Sequence, residues 1–467
     1  MNKQISVFAI LSTHFFSLLI LTSCATPMQT EEREQAINKA VNESVDAPEV
    51  WSAEVAKHVD VPTRWLQSFN DPELLKLIDE GKKNNIDLQM AAANMDKAWL
   101  LAKQSGAALK PTVDLSLDRN QSGSAEGGAS QSNVGVGLQA SWELDMWGRL
   151  RAGVHAADAR AVSAQADYIF AQYSLSANIA KTYFKVIEAK LQANITRKNL
   201  QILEKTMRIT QVKYANGDSS GQDVALNKAN LAAAKEQLIT IEGSERDALR
   251  ALEVLLGRYP NATLDIPDML SDLPPPPPAG IPSEILERRP DIVSAERQVA
   301  AAFDATDQAK AAQLPRFSLT ASANSASSSL SDVLNPANTV WQLGANLIAP
   351  LFDGGRREID VEIATVEQKQ AIANYRNKAL TAFSEVEKNL DQSRVLANRE
   401  TALSDVQRHS SKAYRIAELR YKEGETELLE TLQIQQQAIA AESNLLSIKR
   451  SQLEQRINMY LSLGGSW

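Results

Sequence analysis

Apolar and polar positions alternate strictly in four short stretches of this chain, and in one long stretch they follow a heptad. Val134, Val136, Leu138, Ala140, Trp142 and Leu144 alternate with Gly135, Gly137, Gln139, Ser141 and Glu143. Trp341, Leu343, Ala345, Leu347 and Ala349 alternate with Gln342, Gly344, Asn346 and Ile348, and residues 113–119 and 317–324 keep the same period. A period of two predicts strands with one apolar face and one small, polar, glycine-rich face. They form two hairpins, each closed by a Gly/Ser/Asn/Ala-rich loop of more than ten residues. Strands of about ten residues with this alternation are those of a transmembrane barrel. A half-buried soluble sheet has the same period, so the pattern alone leaves both open.

The heptad runs through Leu175, Ile179, Thr182, Val186, Ala189, Ala193, Thr196, Leu200, Leu203, Met207, Thr210 and Tyr214. Spacing of four and three along a helix is a coiled-coil seam. Prolines outline how far such helices can run. None occurs between Pro111 and Pro260 or after Pro350, and a proline inside a helix costs about 3 kcal/mol. Gly217 and Gly424 punctuate these stretches once each. Helices over 149–215 and 356–422 are therefore predicted, each ~100 Å long at about 1.5 Å per residue. Shorter segments return from the glycines to Gly257 and Gly464.

These elements occur twice. Gly148-Arg149 recurs 207 residues later as Gly355-Arg356. At the same offset Arg208-Ile209, Tyr214 and Gly217 recur as Arg415-Ile416, Tyr421 and Gly424, and Leu256-Gly257 as Leu463-Gly464. Upstream the offset is 204, matching Asp87-Leu88 with Asp291-Ile292 and Pro111 with Pro315. So long a period is no solenoid repeat; it marks one complex unit used twice, over 71–257 and 281–464. Residues 24–70 precede the units and 465–467 end the chain. The linker 258–280 contains five consecutive prolines, an extended polyproline II spacer.

Four strands leave two open edges, which hydrocarbon does not tolerate. The smallest outer-membrane barrels have eight strands, so at least two chains must share one barrel; two, three or four copies satisfy the count.

The N-terminus favours the membrane reading. Lys3, an apolar stretch over 7–21 and Leu21-Thr22-Ser23-Cys24 read as a signal peptide, residues 1–23, ending in a lipobox. Ser12, Thr13, His14 and Ser17 interrupt the stretch, which makes it a poor membrane span. Cys24 is the predicted lipid attachment site, and as the only cysteine it excludes a disulfide framework. Ala25 after it is consistent with outer-membrane sorting. Composition changes little else. A net charge of -8 argues against nucleic acid, and no apolar run of 18 residues follows the signal. His58, His155 and His409 are scattered without ligand spacing, so neither a metal nor another cofactor is expected beyond the lipid on Cys24. Nucleophile and phosphate-loop motifs are absent as well, which argues against an enzyme. Gly354-Gly355-Arg356 has the look of an anion-binding helix start, but its duplicate Trp147-Gly148-Arg149 favours a strand-to-helix joint.

Three separated motifs resemble one family. Pro62-Thr63-Arg64-Trp65 with Phe69, Asp71-Pro72 and Leu74 resembles the opening of TolC-like outer-membrane efflux factors, the NodT-type channel lipoproteins. Residues 282–292, Pro-Ser-Glu-Ile-Leu-Glu-Arg-Arg-Pro-Asp-Ile, followed by Ala295-Glu296, look like that family's internal signature. The two helix turns and Leu463-Gly464-Gly465 match as well. The resemblance implies a mainly α chain with a β-barrel portion. Three chains would close a 12-stranded outer-membrane β-barrel, four strands each, continued by antiparallel coiled-coil helices as a periplasmic α-barrel. Residues 36–70 and 258–285 would form an equatorial layer. The homotrimer would serve as a passive exit duct for small molecules or drugs. A periplasmic adaptor and an inner-membrane pump would be its partners, with outer-membrane lipid around the barrel. A coiled-coil adaptor or a structural lipoprotein is the alternative, and the strand hairpins disfavour both.

Candidate functional residues lie at the two helix turns. Asp218 and Asp223 follow Gly217, and Glu425, Glu427 and Glu430 follow Gly424. Carboxylates at a helix start complement the dipole by about 0.3–1 kcal/mol; repeated around an axis they would also ring a pore. The resemblance implies a gate there, made of acidic residues and a tyrosine, which nominates Tyr214 and Tyr421. Gln433 and Gln436 stand where many relatives carry charge.

The lipobox gives the first prediction. Cys24→Ser should lose palmitate labelling in growing cells, and label persisting in the serine variant would refute the assignment.

Overall fold

The computed structural model describes residues 30–45, 47–53, 65–123, 131–278, 280 and 282–465. Cys24, His58 and Pro62-Thr63-Arg64 lie outside the described residues. The chain divides into two compact units, and these do not follow the sequence halves. One comprises residues up to 46 with 94–165 and 294–378; the other comprises 47–93, 166–293 and 379–467. Each draws on both halves because the longest helices start in the first unit and end in the second. These are α4 (Arg149–Asn216) and α8 (Arg356–Glu423), 68 residues each.

The first unit holds one antiparallel sheet in the order β1-β2-β3-β4, formed by Thr112–Ser122, Gln131–Leu144, Arg316–Ser327 and Thr339–Ile348. Its register aligns the apolar positions across all four strands. Leu115 pairs Leu138, Leu138 pairs Ala323, and Ala323 pairs Trp341. The opposite face aligns Ser116, Gly137, Asn324 and Val340. The apolar face stays bare within the chain, with Leu115, Leu117, Leu138 and Trp341 all exposed. Two details differ from expectation. Both strands of the first hairpin run further, to Ser122 and from Gln131, so fewer than ten residues separate them. Strand β4 stops at Ile348 rather than Ala349, just ahead of Pro350, which has no N–H for a ladder.

Helices flank this sheet in sequence. Helix α1 (Thr30–Ser44) is tied to α7 (Pro290–Ala311) by Arg33 and Asp304 at 2.8 Å. The expected joints are present: Gly148 has φ 77° and Gly355 φ 85°, left-handed conformations that favour glycine. At the first joint the Trp147 indole N–H donates to the Pro315 carbonyl at 2.7 Å, and Asp145 accepts the backbone N–H groups of Leu150 and Arg151. That satisfies two donors at the start of α4.

The second unit is built on an aromatic core. A 3-10 turn, Trp65–Phe69, stacks Trp65 on Tyr460 with centroids 4.3 Å apart and sets Phe69 against Phe184. Asp71 then starts helix α2 (Pro72–Asn84), accepting the Leu74 N–H at 3.0 Å. Its second oxygen accepts the hydroxyls of Tyr183 and Ser271, both at 2.9 Å. Helix α3 (Ile86–Ala107) leads on into the first unit. Helices α5 (Gly221–Leu255) and α9 (Leu428–Ser462) are 35 residues each, and α6 (Glu284–Arg288) is a single short turn before α7. The five prolines are partly docked: Pro274 and Pro277 are buried while Pro275 and Pro276 face solvent, the three-residue period of polyproline II. Arg456 of α9 donates to the Pro274 carbonyl.

The seam prediction holds over most of its length, with Leu175, Ile179, Val186, Ala193, Thr196, Leu203, Met207 and Thr210 buried. Its last member departs, since Tyr214 is 54% exposed. Tyr421 of α8 takes the inner place beside Thr210 instead. Among the described residues no helix is long and apolar enough to cross a membrane.

Arg289, from the internal signature, is only 4% exposed. It grips Asp291 with two bonds of 3.0 and 2.9 Å, Glu385 at 2.7 Å and the Ser462 carbonyl at 3.3 Å. Burial works against this cation, yet the two carboxylates outweigh it and raise its pKa. One side chain thus ties α7, α8 and α9. Replacing Arg289 by Met should cost about 3–5 kcal/mol, because Asp291 would be left largely buried and unpaired. A thermal melt of the purified protein tests this; an unchanged midpoint would contradict it.

Candidate functional site

The two turns are closed by the same backbone geometry. After α4, the Gly217 N–H donates to the Tyr214 carbonyl at 3.1 Å and the Asp218 N–H to the Lys213 carbonyl at 2.8 Å. After α8, Gly424 donates to Tyr421 at 3.2 Å and Glu425 to Arg420 at 2.8 Å. Both glycines have positive φ, 84° and 81°, so each helix ends in a Schellman-type cap that satisfies its last carbonyls.

The helices that return from these turns start differently. Ser220 and Asp223 form a capping box at α5. The Ser220 hydroxyl oxygen accepts the Asp223 N–H at 3.1 Å, and the Asp223 carboxylate accepts the Ser220 N–H at 3.0 Å. The hydroxyls of Ser219 and Ser220 donate to the same carboxylate oxygen, each at 2.9 Å. These bonds, the Ser220 N–H foremost, hold the Asp223 pKa below the usual carboxylate value. Asp223 is therefore ionised and engaged in its own cap. At α9 the N-cap residue Glu427 makes no side-chain cap bond. Glu430 accepts the Thr426 hydroxyl at 2.6 Å, and Glu425 lies 3.6 Å from Arg420. Asp218, Tyr214, Glu425, Glu427, Glu430 and Gln433 are all exposed. The structure gathers none of these six around a common centre within the chain.

Tyr421 is the exception, and it sits in a buried polar cluster. Its hydroxyl lies 3.0 Å from that of Thr210. Thr210 gives its own proton to the Thr206 carbonyl at 2.9 Å, so Tyr421 is the donor to Thr210. Asn227 of α5, fully buried, donates to Thr210 at 3.3 Å. Lys213 reaches across from α4, donating to the Tyr421 carbonyl at 2.6 Å with its ammonium 4.4 Å from the ring centroid. Burial raises the Tyr421 pKa, which keeps the phenol protonated as a donor. The lysine places a cation on the last turn of α8, where the helix dipole is negative. Leu203, Ala234, Leu428 and Leu432 pack around the cluster.

Further along, polar pairs also join α4 and α9. Glu188 meets Arg450 at 2.8 Å, Gln192 meets Ser443 at 2.7 Å, and Asn199 meets Gln435 at 2.8 Å. Gln436 donates to Asn230 of α5 at 3.2 Å. Thr210, Lys213 and Asn227 were not singled out from sequence. Thr210 was visible only as a seam position, and Lys213 only as the residue preceding one of the paired tyrosines.

The arrangement offers charge and shape. Among the described residues no three His, Cys, Asp or Glu side chains converge as metal ligands. Its carboxylates favour cations in the space they border.

Known proteins share both sequence and fold. The family described as outer membrane efflux protein matches residues 77–258 and 281–465. The pyoverdine export outer membrane protein OpmQ of Pseudomonas aeruginosa is 30% identical over 440 residues, spanning 90% of this chain and 91% of OpmQ. The toluene efflux pump outer membrane protein TtgI of Pseudomonas putida is 30% identical over 409 residues, 85% and 86% of the two chains. In structure, the open state of the Neisseria gonorrhoeae MtrE outer membrane channel aligns with a TM-score of 0.80 at 28% identity, covering 90% of this chain and 96% of that one. With both halves matched and the four-stranded sheet and paired long helices in place, this chain belongs to the outer membrane efflux protein family, the channels through which efflux systems cross the outer membrane.

Proposed function

We propose that three copies of this chain form a passive exit duct, anchored in the outer membrane by lipid on Cys24. The observation that carries this reading is the sheet. Its apolar face is bare, and the outer edges of β1 and β4 have no partner among the described residues. Such a sheet is stable in hydrocarbon only when its edges are closed by further strands. Three copies bring twelve strands, within the range of known barrels. The duplicated unit, 71–257 and 281–464, then supplies two hairpins and two long helix pairs per chain, so the ring is built from six similar parts.

The helix turns are the natural mouth of the duct. Asp218, Asp223, Glu425, Glu427 and Glu430, repeated three times, would surround it with negative charge, with Tyr214, Tyr421 and Gln433 beside them. A periplasmic adaptor would meet this end and link it to an inner-membrane pump, which supplies the energy. The printed names of the relatives, one for pyoverdine and one for toluene, differ in cargo on similar sequences. Cargo choice in this chain is accordingly assigned to the pump. No catalytic step and no cofactor beyond the lipid is proposed. The adaptor and structural-lipoprotein alternatives leave the apolar sheet face without a purpose.

In a planar bilayer the purified channel should be cation-selective and of low conductance. Asp218→Asn, which removes a charge that caps nothing, should lower selectivity. Asp223→Asn should lower it too while largely keeping the capping box, since an amide oxygen at N3 still accepts the Ser220 N–H. The same neutralisation at Glu204, a turn or more away, should matter less. Anion selectivity, or tip variants indistinguishable from the parent, would show that these carboxylates only end helices.

A further inference from the structure

A cavity of about 650 Å³ opens in the second unit, bordered by the start of α2, the body of α4 and the segment 258–268 that follows α5. Sites for small molecules occupy roughly 300–1,000 Å³. The charged side chains lining it are Glu73 and Lys76 of α2, Lys190 of α4, and Arg258, Asp265 and Asp268 of the segment. They belong neither to the sheet nor to the helix turns, and the duct proposed above makes no use of them.

The walls of this cavity are built and held. The Glu253 carboxylate, only 2% exposed, accepts the N–H groups of Ala262, Thr263 and Leu264 at 2.7, 2.9 and 3.2 Å. Ala262 is kept at φ 57°, a left-handed conformation uncommon outside glycine. Ile266 is buried in the aromatic core, and its carbonyl accepts the Lys190 ammonium at 2.6 Å. Arg258 is drawn aside by both oxygens of Glu80. The segment is therefore fixed before any ligand arrives, which lowers the ordering cost of binding.

Within this frame the charges are unequally satisfied. Lys76 lies 3.3 Å from Glu73, and Arg258 is committed to Glu80. Lys190 spends one of an ammonium's three donors on Ile266. Asp265 and Asp268 are exposed and make no hydrogen bond or ion pair among the described residues. Two open carboxylates and a cation with donors to spare thus border one cavity. We infer that the cavity binds an amino-acid zwitterion, its ammonium bridging Asp265 and Asp268 and its carboxylate on Lys190. An ammonium has three donors and serves two carboxylates at once. A dicarboxylate would instead meet like charge at Asp265 and Asp268, and a diamine would leave Lys190 without its anion. This chemistry exists in free amino acids and in the unlinked diamino-acid residues of bacterial cell-wall peptides.

Calorimetry on the full-length protein in detergent, with meso-diaminopimelate as the probe, tests the site. Saturable binding is expected. Pimelate, which lacks the ammonium groups, and cadaverine, which lacks the carboxylates, should each bind about tenfold or more weakly. Asp265→Asn combined with Asp268→Asn should weaken diaminopimelate by a similar factor and leave the melting point unchanged, since neither carboxylate bonds anything in the fold. Co-sedimentation with purified cell-wall sacculi separates the sources. Retention that free diaminopimelate competes away assigns the ligand to the wall, and binding of the free compound without retention assigns it to a solute; both uphold the site. Pimelate or cadaverine binding as well as diaminopimelate, a double variant that binds like the parent, or no binding at all would overturn it.

Discussion

An unpaired backbone N–H or carbonyl in hydrocarbon costs several kcal/mol, and the rest of this molecule follows from that cost. The sheet carries an apolar face suited to lipid, and strands β2 and β3 each have two neighbours. Among the described residues strands β1 and β4 do not. In the reading proposed here a single chain supplies part of a wall that further copies complete. The long helices meet the same condition by another route. Their seam is rich in alanine and threonine, which pack closely but bury little, so each helix needs several neighbours.

What keeps such helices in place is a small number of well-satisfied polar groups. Arg289 draws three helices together through two carboxylates and a carbonyl. Asp71 serves a helix cap, a tyrosine and a serine at once. At the turns, Lys213, Thr210 and Asn227 organise Tyr421, while Asp223 is committed to Ser219 and Ser220. A carboxylate that caps its own helix remains charged and keeps its field. What the capping bonds restrict is its freedom to swing toward a partner. In the acidic ring proposed for the mouth, Asp223 would be a fixed charge, held by its capping bonds.

Much of the architecture was legible in the sequence, because period reports backbone geometry directly. Alternation located all four strands, and the proline-free stretches with one glycine each located both pairs of long helices. The ends of these elements were less clear. The first hairpin's strands run closer together than the loop composition suggested, since Ser, Asn and Gln continue a strand as readily as they fill a loop when the neighbour is in register. Tertiary partners were not legible at all. Nothing local in Arg289 names Glu385 or Ser462, and Tyr214 and Tyr421 look alike in sequence although one is exposed and the other buried. The duplication hides this difference: equal residues meet unequal surroundings because each half adjoins a different neighbour.

The mass of the purified protein in detergent tests most directly whether its edges must be shared. Light scattering with the detergent contribution subtracted should give three times the mass of one mature chain, with no folded monomer at any dilution at which the β-structure persists. A stable monomer that retains its sheet would contradict the shared barrel.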